Sequence, residues 1–210
     1  MANEVKSTVP EEVKPTQKFQ NNKEDVMAVK KGDQVGTVLF TQAEITKRAK
    51  EVAAQIDKDY AGEEVVLLGT LKGSIMWLVD IMKYTTIETP IDFITASSYG
   101  SSTMSSGVVK ITYDPTTNLY NKHVIIVEDI VDTGNTLYYL INKLKERGPK
   151  SVKICTLLNK QARRTADIVP DYIGFEVDDL FIIGYGLDYD QKFRGLPYVG
   201  YLSEGDIESL

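Results

Sequence analysis

The chain has 210 residues, a formal net charge of −6, and 42% hydrophobic against 26% charged residues. That length suits one domain with a substantial core and excludes two ordinary enzyme domains, and the balance of residue types excludes a fibrous repeat or wholesale disorder. The acidic balance gives no broad footprint for nucleic acid, no apolar run reaches the about 18 residues that span a bilayer, and the N-terminus lacks a secretory core, so a cytoplasmic protein is expected, with no membrane and no nucleic-acid partner. One cysteine, Cys155, and one histidine, His123, exclude an intrachain disulfide and a multi-histidine metal site.

Residues 1–33 mix Lys, Glu, Asn and Gln with dispersed Pro10, Pro15 and Gly32, the composition of a polar, flexible tail, and leave 34–210 as the folded domain. From Thr41 the pattern changes. Thr41 with Glu44 forms the signature of a capping box, and Ile45, Ala49, Val52, Ala53 and Ile56 recur at helical spacing, predicting a helix to about Lys58. Residues 64–69 read as a strand, 71–73 as a tight turn and 74–82 as a helix with Trp77 in its apolar pattern. Two further strands are expected at 91–96 and 108–113, joined by a Ser- and Gly-rich loop. Residues 123–128 form a β-branched strand beginning at His123, an ordinary polar position rather than a catalytic one. A helix follows over 133–147, stopped by Gly148-Pro149, then a buried strand over 152–158 that holds Cys155 as a small core residue. Short strands near 173–175 and 181–183 precede a C-terminal stretch of loops. Alternation of this kind predicts an α/β fold, a mostly parallel sheet flanked by helices, with ligands collecting at the carboxyl ends of the strands.

Chemistry enters where the apolar strand meets Glu128-Asp129. Two adjacent carboxylates at a buried strand tip need hydroxyls, a metal or cations, and a ribose diol with a divalent ion is a sensible occupant. Asp132 follows, then Thr133-Gly134-Asn135-Thr136, small and hydroxylated residues whose amides can converge on a phosphate at a helix N-terminus. Read alone, the Asp132-Thr133-Gly134 run favours a helix cap, with the acid pair solvated at a sheet edge. The combination of apolar strand, paired acids, third acid and phosphate turn favours the binding site. It resembles the phosphoribosyl pyrophosphate motif of the type I phosphoribosyltransferases, in the form seen in the hypoxanthine-guanine enzymes.

That resemblance implies the family's fold, a central sheet with a small hood formed by the terminal segments, and it spans roughly Val35 to Glu204. It implies that Glu128 and Asp129 hold the ribose hydroxyls, that Thr133 to Thr136 cradle the 5′-phosphate, and that Asp132 accepts the proton from purine N7. Asn135 stands where some relatives carry lysine. Leu71-Lys72-Gly73-Ser74 is similar to the family's pyrophosphate loop, with a non-proline cis peptide expected before Lys72, and Arg194 is similar to its pyrophosphate arginine. Ser98 and Tyr99 open a stretch that resembles the family's mobile flap, whose closure excludes water from the activated ribose. Lys160 matches the lysine that donates to the oxygen on purine C6, Phe181 the ring that stacks on the base, Ile182 a backbone contact, and Asp188 a residue near metal and the purine 2-substituent. Magnesium is the implied cofactor, with Glu128, Asp129 and Asp188 as its ligands; hypoxanthine and guanine are the implied acceptors, and a dimer or tetramer the implied assembly. Arg163 and Arg164 read as surface or interface residues. A xanthine-preferring enzyme and a nucleotide-sensing, RNA-binding regulator on the same fold remain as alternatives.

Overall fold

The computed structural model describes residues 35–98 and 109–208. In chain order the elements are β1 (Thr37–Phe40), α1 (Gln42–Asp59), β2 (Val65–Thr70), α2 (Ile75–Tyr84), β3 (Ile91–Ser98), β4 (Val109–Tyr113), β5 (His123–Val131), α3 (Asn135–Lys145), β6 (Ser151–Asn159), β7 (Tyr172–Glu176), β8 (Phe181–Ile183), β9 (Val199–Leu202) and α4 (Glu204–Glu208). A six-stranded sheet has the order β4-β3-β2-β5-β6-β7, parallel throughout except for β4, which runs antiparallel on β3. The expected hood is present as a second, antiparallel sheet of order β1-β9-β8.

Burial explains why the central strands are apolar without alternation. In β2, Val65 and Leu67 pack into the core formed with α1 and α2, whereas Val66 and Leu68 face the core formed with α3. Strand β5 divides in the same way, with Ile125 and Val127 on one face and Val124 and Ile126 on the other, as the two-residue period of a strand requires. Helix α1 begins where its cap dictates: Glu44 N donates to Thr41 Oγ1 at 3.4 Å and Thr41 N donates to Glu44 Oε2 at 2.8 Å. The five apolar residues singled out from its sequence are all buried.

Cys155 is a core residue, fully buried, and burial pushes its thiol up to about 12. Trp77 is likewise fully buried. His123 places Nδ1 2.7 Å from Ser151 Oγ, at the opposite end of β5 from the acid pair. Among the described residues no helix is long and apolar enough to cross a membrane.

The structure departs from the sequence-based expectation in three places. Strand β5 runs three residues beyond Glu128, because Ile130 and Val131 continue the ladder opposite Leu158 and Asn159 of β6. Helix α3 starts at Asn135 rather than Thr133, since Gly134 takes a left-handed φ of 80° that turns the chain before the first helical residue. Strands β1 and β9 and, where loops were expected at the C-terminus, the five-residue helix α4 were not anticipated: each strand is four residues long, and they pair across the chain, Thr37 opposite Tyr201. Nothing in the local pattern of either segment carries that long-range register. The polar tail of residues 1–33, Tyr99 and the rest of the flap to Gly107 lie outside the described residues.

Candidate active site

The order of the main sheet fixes where a site can form. From β2 the chain moves outward to β3, and from β5 it moves the other way to β6, so the loops that leave β2 and β5 diverge and open a crevice between them. A cleft of about 370 Å³ occupies that position. It is lined by Thr70 at the end of β2 and the Leu71–Gly73 turn after it, by Glu128–Val131 at the end of β5, by Asp132, Thr133, Gly134 and Thr136 leading into α3, and by Arg194 from the segment between β8 and β9.

Consecutive strand residues point to opposite faces, and the acid pair accordingly has two sets of neighbours. Glu128 accepts from Thr70 Oγ1, whose oxygen also lies 3.0 Å from the Val127 carbonyl to which it can donate. Asp129 accepts from the Ile130 amide at 2.8 Å and lies directly against Gly73. A Cβ built on Gly73 would fall 1.5 Å from Asp129 Oδ2, so no other residue fits there without moving that carboxylate. Burial, reinforced by the neighbouring Asp129 charge, raises the Glu128 carboxyl; burial also raises Asp129, with the Arg194 cation opposing it. Two desolvated acids side by side are the part of the site that most needs a cation or a set of hydroxyl donors.

Around them the backbone is held close. The Leu71–Lys72 peptide is cis, as the family resemblance implied. Gly186, at φ 104°, backs onto the Gly73 carbonyl so tightly that a Cβ on it would lie 1.9 Å from that oxygen. Arg194 Nη1 donates to Gly186 O at 2.8 Å and its Nη2 pairs with Asp188 Oδ1 at 2.8 Å, while the buried Nε has no partner among the described residues. Lys72 Nζ reaches Gln191 Oε1 at 3.1 Å, and the Gln191 amide donates to Asp188 Oδ2 at 2.8 Å. Asp132 presents a buried Oδ1 with no partner, and its Oδ2 lies 3.5 Å from Arg163 Nη1. Asp132 and Arg194 both line the cleft, and each carries one buried polar atom, Asp132 Oδ1 and Arg194 Nε, that has no hydrogen-bond partner among the described residues.

Not every residue expected at the site lines this cleft. Asn135 turns away, its Oδ1 accepting from Thr165 Oγ1 at 3.2 Å. Lys160, just past β6, is 6% exposed; its Nζ donates to Leu180 O at 2.7 Å and lies 3.5 Å from Asp179 Oδ1, and its amide donates to Val131 O at 3.0 Å. An ammonium has three donors, so the Leu180 carbonyl aims Lys160 without exhausting it. Phe181 is 45% exposed at the start of β8 and meets Tyr189 edge-on at 5.6 Å. Ile182 buries its side chain, and β8 is an edge of the hood sheet, which leaves one side of its backbone without a strand partner there. Asp188 joins the cleft through Arg194 rather than by lining it. Among the described residues no three acid side chains converge on one metal position, so Glu128, Asp129 and Asp188 do not form a protein-only cage. Ser98 ends β3, opposite Val109.

The reading of Arg164 as a surface or interface residue is corrected. Its guanidinium donates to the carbonyls of Val131, Asp132 and Ile168 at 2.9, 2.8 and 2.9 Å, and to Asn159 Oδ1 at 2.6 Å. Next to Arg163, which is exposed, nothing in the local sequence separated the two arginines.

Comparison with known proteins agrees with this geometry. A family model described as "Phosphoribosyl transferase domain" matches residues 37–190. A hypoxanthine-guanine phosphoribosyltransferase of Streptococcus thermophilus is 46% identical over 167 residues, covering 80% of this chain and 93% of that protein. One from Bacillus subtilis is 44% identical over 172 residues, covering 82% and 96%. Among solved structures, a hypoxanthine phosphoribosyltransferase from Staphylococcus aureus superposes with a TM-score of 0.79 at 42% identity, covering 83% of this chain and 95% of that one.

Proposed function

The chain belongs to the phosphoribosyltransferase family, and from that premise we propose that it is a hypoxanthine-guanine phosphoribosyltransferase, moving the 5-phosphoribosyl group from phosphoribosyl pyrophosphate to N9 of a 6-oxopurine and releasing pyrophosphate. The observation that carries the donor half is the meeting of Asp129 and Gly73 across the β2–β5 crevice, which sets a desolvated acid pair beside a side-chain-free backbone loop. The acceptor half is supported by Lys160, buried and aimed by Leu180 O, beside the half-exposed ring of Phe181.

In this reading the ribose hydroxyls lie on Glu128 and Asp129, and the 5′-phosphate lies on Thr133, Gly134 and Thr136 at the N-terminus of α3, with Asn135 supporting that turn through Thr165. Pyrophosphate lies against Lys72, Gly73 and Arg194, which line the cleft together. Glu128 and Asp129, two desolvated acids on the cleft wall, would hold a magnesium ion together with oxygens of the donor, while Asp188 acts on the site through its pairing with Arg194. The ion would neutralise the leaving pyrophosphate.

As the bond from C1′ to the pyrophosphate oxygen breaks and that from C1′ to N9 forms, positive charge develops on the ribose, and the adjacent carboxylates oppose it. Asp132 Oδ1, buried and without a partner, accepts the proton that leaves N7. Lys160 donates to the oxygen on C6, a contact that a 6-amino group cannot make, and Phe181 stacks on the ring while the β8 edge at Ile182 meets the base. The protein acts in the cytoplasm as a dimer or tetramer, with 34–210 as the catalytic domain.

A spectrophotometric assay with magnesium and phosphoribosyl pyrophosphate, run separately with hypoxanthine, guanine, xanthine, adenine and uracil, tests the assignment. Turnover is expected with hypoxanthine and guanine. Activity confined to adenine or uracil would refute the base reading, and activity confined to xanthine would reassign the 2-substituent contact near Asp188.

A further inference from the structure

The loop after β5 can cradle a phosphate only if its peptide N–H groups face the cleft, and the side chains that line the cleft do not determine that orientation. The structure shows what does. Arg164 Nη2 donates to Val131 O at 2.9 Å and Nε to Asp132 O at 2.8 Å, while the amides of Thr165 and Ala166 donate to Thr133 O at 3.1 and 3.0 Å. Three consecutive loop carbonyls are therefore drawn toward one short segment. These peptides are trans, and in a trans peptide the N–H points opposite to the carbonyl. The amides of Asp132, Thr133 and Gly134 are accordingly directed away from residues 164–166, and those three residues line the cleft.

The arginine is itself fixed. Its Nη2 also donates to Asn159 Oδ1 at 2.6 Å, Asn159 Nδ2 donates to both carboxylate oxygens of Glu176 at 3.0 and 2.9 Å, and Nη1 is held by Ile168 O at 2.9 Å. The chain from Glu176 through Asn159 to Arg164 anchors the phosphate loop to β6 and β7. Its methylene stem runs behind the loop as well: a Cβ on Gly134 would lie 3.2 Å from Arg164 Cδ.

We propose that Arg164 is a positioning residue for donor binding, which by gripping the Val131 and Asp132 carbonyls from behind turns the loop amides toward the 5′-phosphate without touching it. This rests on the donor reading proposed above. The role requires a planar fork with several divergent donors, which an ammonium does not provide.

The test uses the full-length protein, with Arg164→Ala and Arg164→Lys compared to wild type by calorimetric titration with magnesium phosphoribosyl pyrophosphate. Melting temperature and the KM for hypoxanthine at saturating donor are measured alongside. Arg164→Ala is expected to weaken donor binding about 10- to 100-fold, the range for losing hydrogen bonds from a charged group. Arg164→Lys should fall between it and wild type, with the hypoxanthine KM moving far less in both. Millimolar guanidinium should restore part of the donor affinity of Arg164→Ala and leave Arg164→Lys unchanged. Donor affinity equal to wild type in both variants overturns the proposal. So does an equal loss for donor and base that follows the melting temperature and shows no rescue. If Arg164→Ala does not fold, the lysine variant decides by the same criteria. Because donor binding is read directly, the comparison holds whether or not a 6-oxopurine is the acceptor; a wild-type protein that binds no donor overturns both readings.

Discussion

Asp132→Ala should lower kcat by about 10² to 10⁴, the usual contribution of a positioned proton acceptor, while the KM for phosphoribosyl pyrophosphate stays close to that of wild type. The asymmetry follows from what Asp132 touches. Among the described residues its Oδ1 has no partner and its Oδ2 meets Arg163 at 3.5 Å, so its removal strands no buried group of the donor site. Its backbone, which carries the loop amide, is held by Arg164 whatever the side chain is. Asp132→Asn provides the sharper comparison, since it keeps the shape and loses the basicity. Steady-state kinetics with each substrate varied in turn checks this; wild-type turnover by both variants would remove Asp132 from the chemistry.

Gly73→Ala should reduce kcat/KM for the donor by about 10²-fold, the cost of displacing a reacting group by about 1 Å. A methyl group there falls 1.5 Å from Asp129 Oδ2, and both neighbours are constrained, because the residues on either side of Asp129, Glu128 and Ile130, pair with Thr156 and Leu158 of β6, and the Gly73 carbonyl is backed by Gly186. Either the acid or the pyrophosphate loop must move, and the pairing of the two is the core of the proposed donor site. Gly205→Ala in α4 serves as the control, since the nearest atom its Cβ would meet is Ser203 Oγ at 4.0 Å. Equal donor kinetics for Gly73→Ala and wild type would mean that the close approach has no part in binding.

The elements that local physics specifies were legible in the sequence. Thr41 and Glu44 fixed the start of α1, and the unbroken apolar runs in β2 and β5 marked strands buried on two faces. That the acid pair, Asp132 and the turn after it belong to one site could also be read before any coordinates, from residue chemistry together with the family resemblance, and they line one cleft. What could not be read depended on partners distant in the chain. Strands β1 and β9 are defined by a register spanning residues 37 to 201, and each alone is too short to show a period. Arg164 belongs to the site only because residues 164–166 fold back on 131–133, whereas Arg163 beside it shares its local context and meets only the Asp132 carboxylate, at 3.5 Å. Gly73 was singled out for its place in the pyrophosphate loop; the contact with Asp129 that leaves no room for a side chain while that carboxylate stays in place is a tertiary fact. The extension of β5 to Val131 belongs with these, since its last pairs depend on Leu158 and Asn159.

The acid pair between β2 and the phosphate loop is the claim on which the rest depends. Titration of wild type and of a Glu128→Gln/Asp129→Asn double variant with phosphoribosyl pyrophosphate, with and without magnesium, addresses it most directly. Wild type should bind the donor more tightly when magnesium is present, and the double variant should lose both that dependence and at least about tenfold in affinity, the scale of one charged hydrogen bond. Donor binding by the double variant that matches wild type in strength and in its response to magnesium would place the ribose and the metal elsewhere.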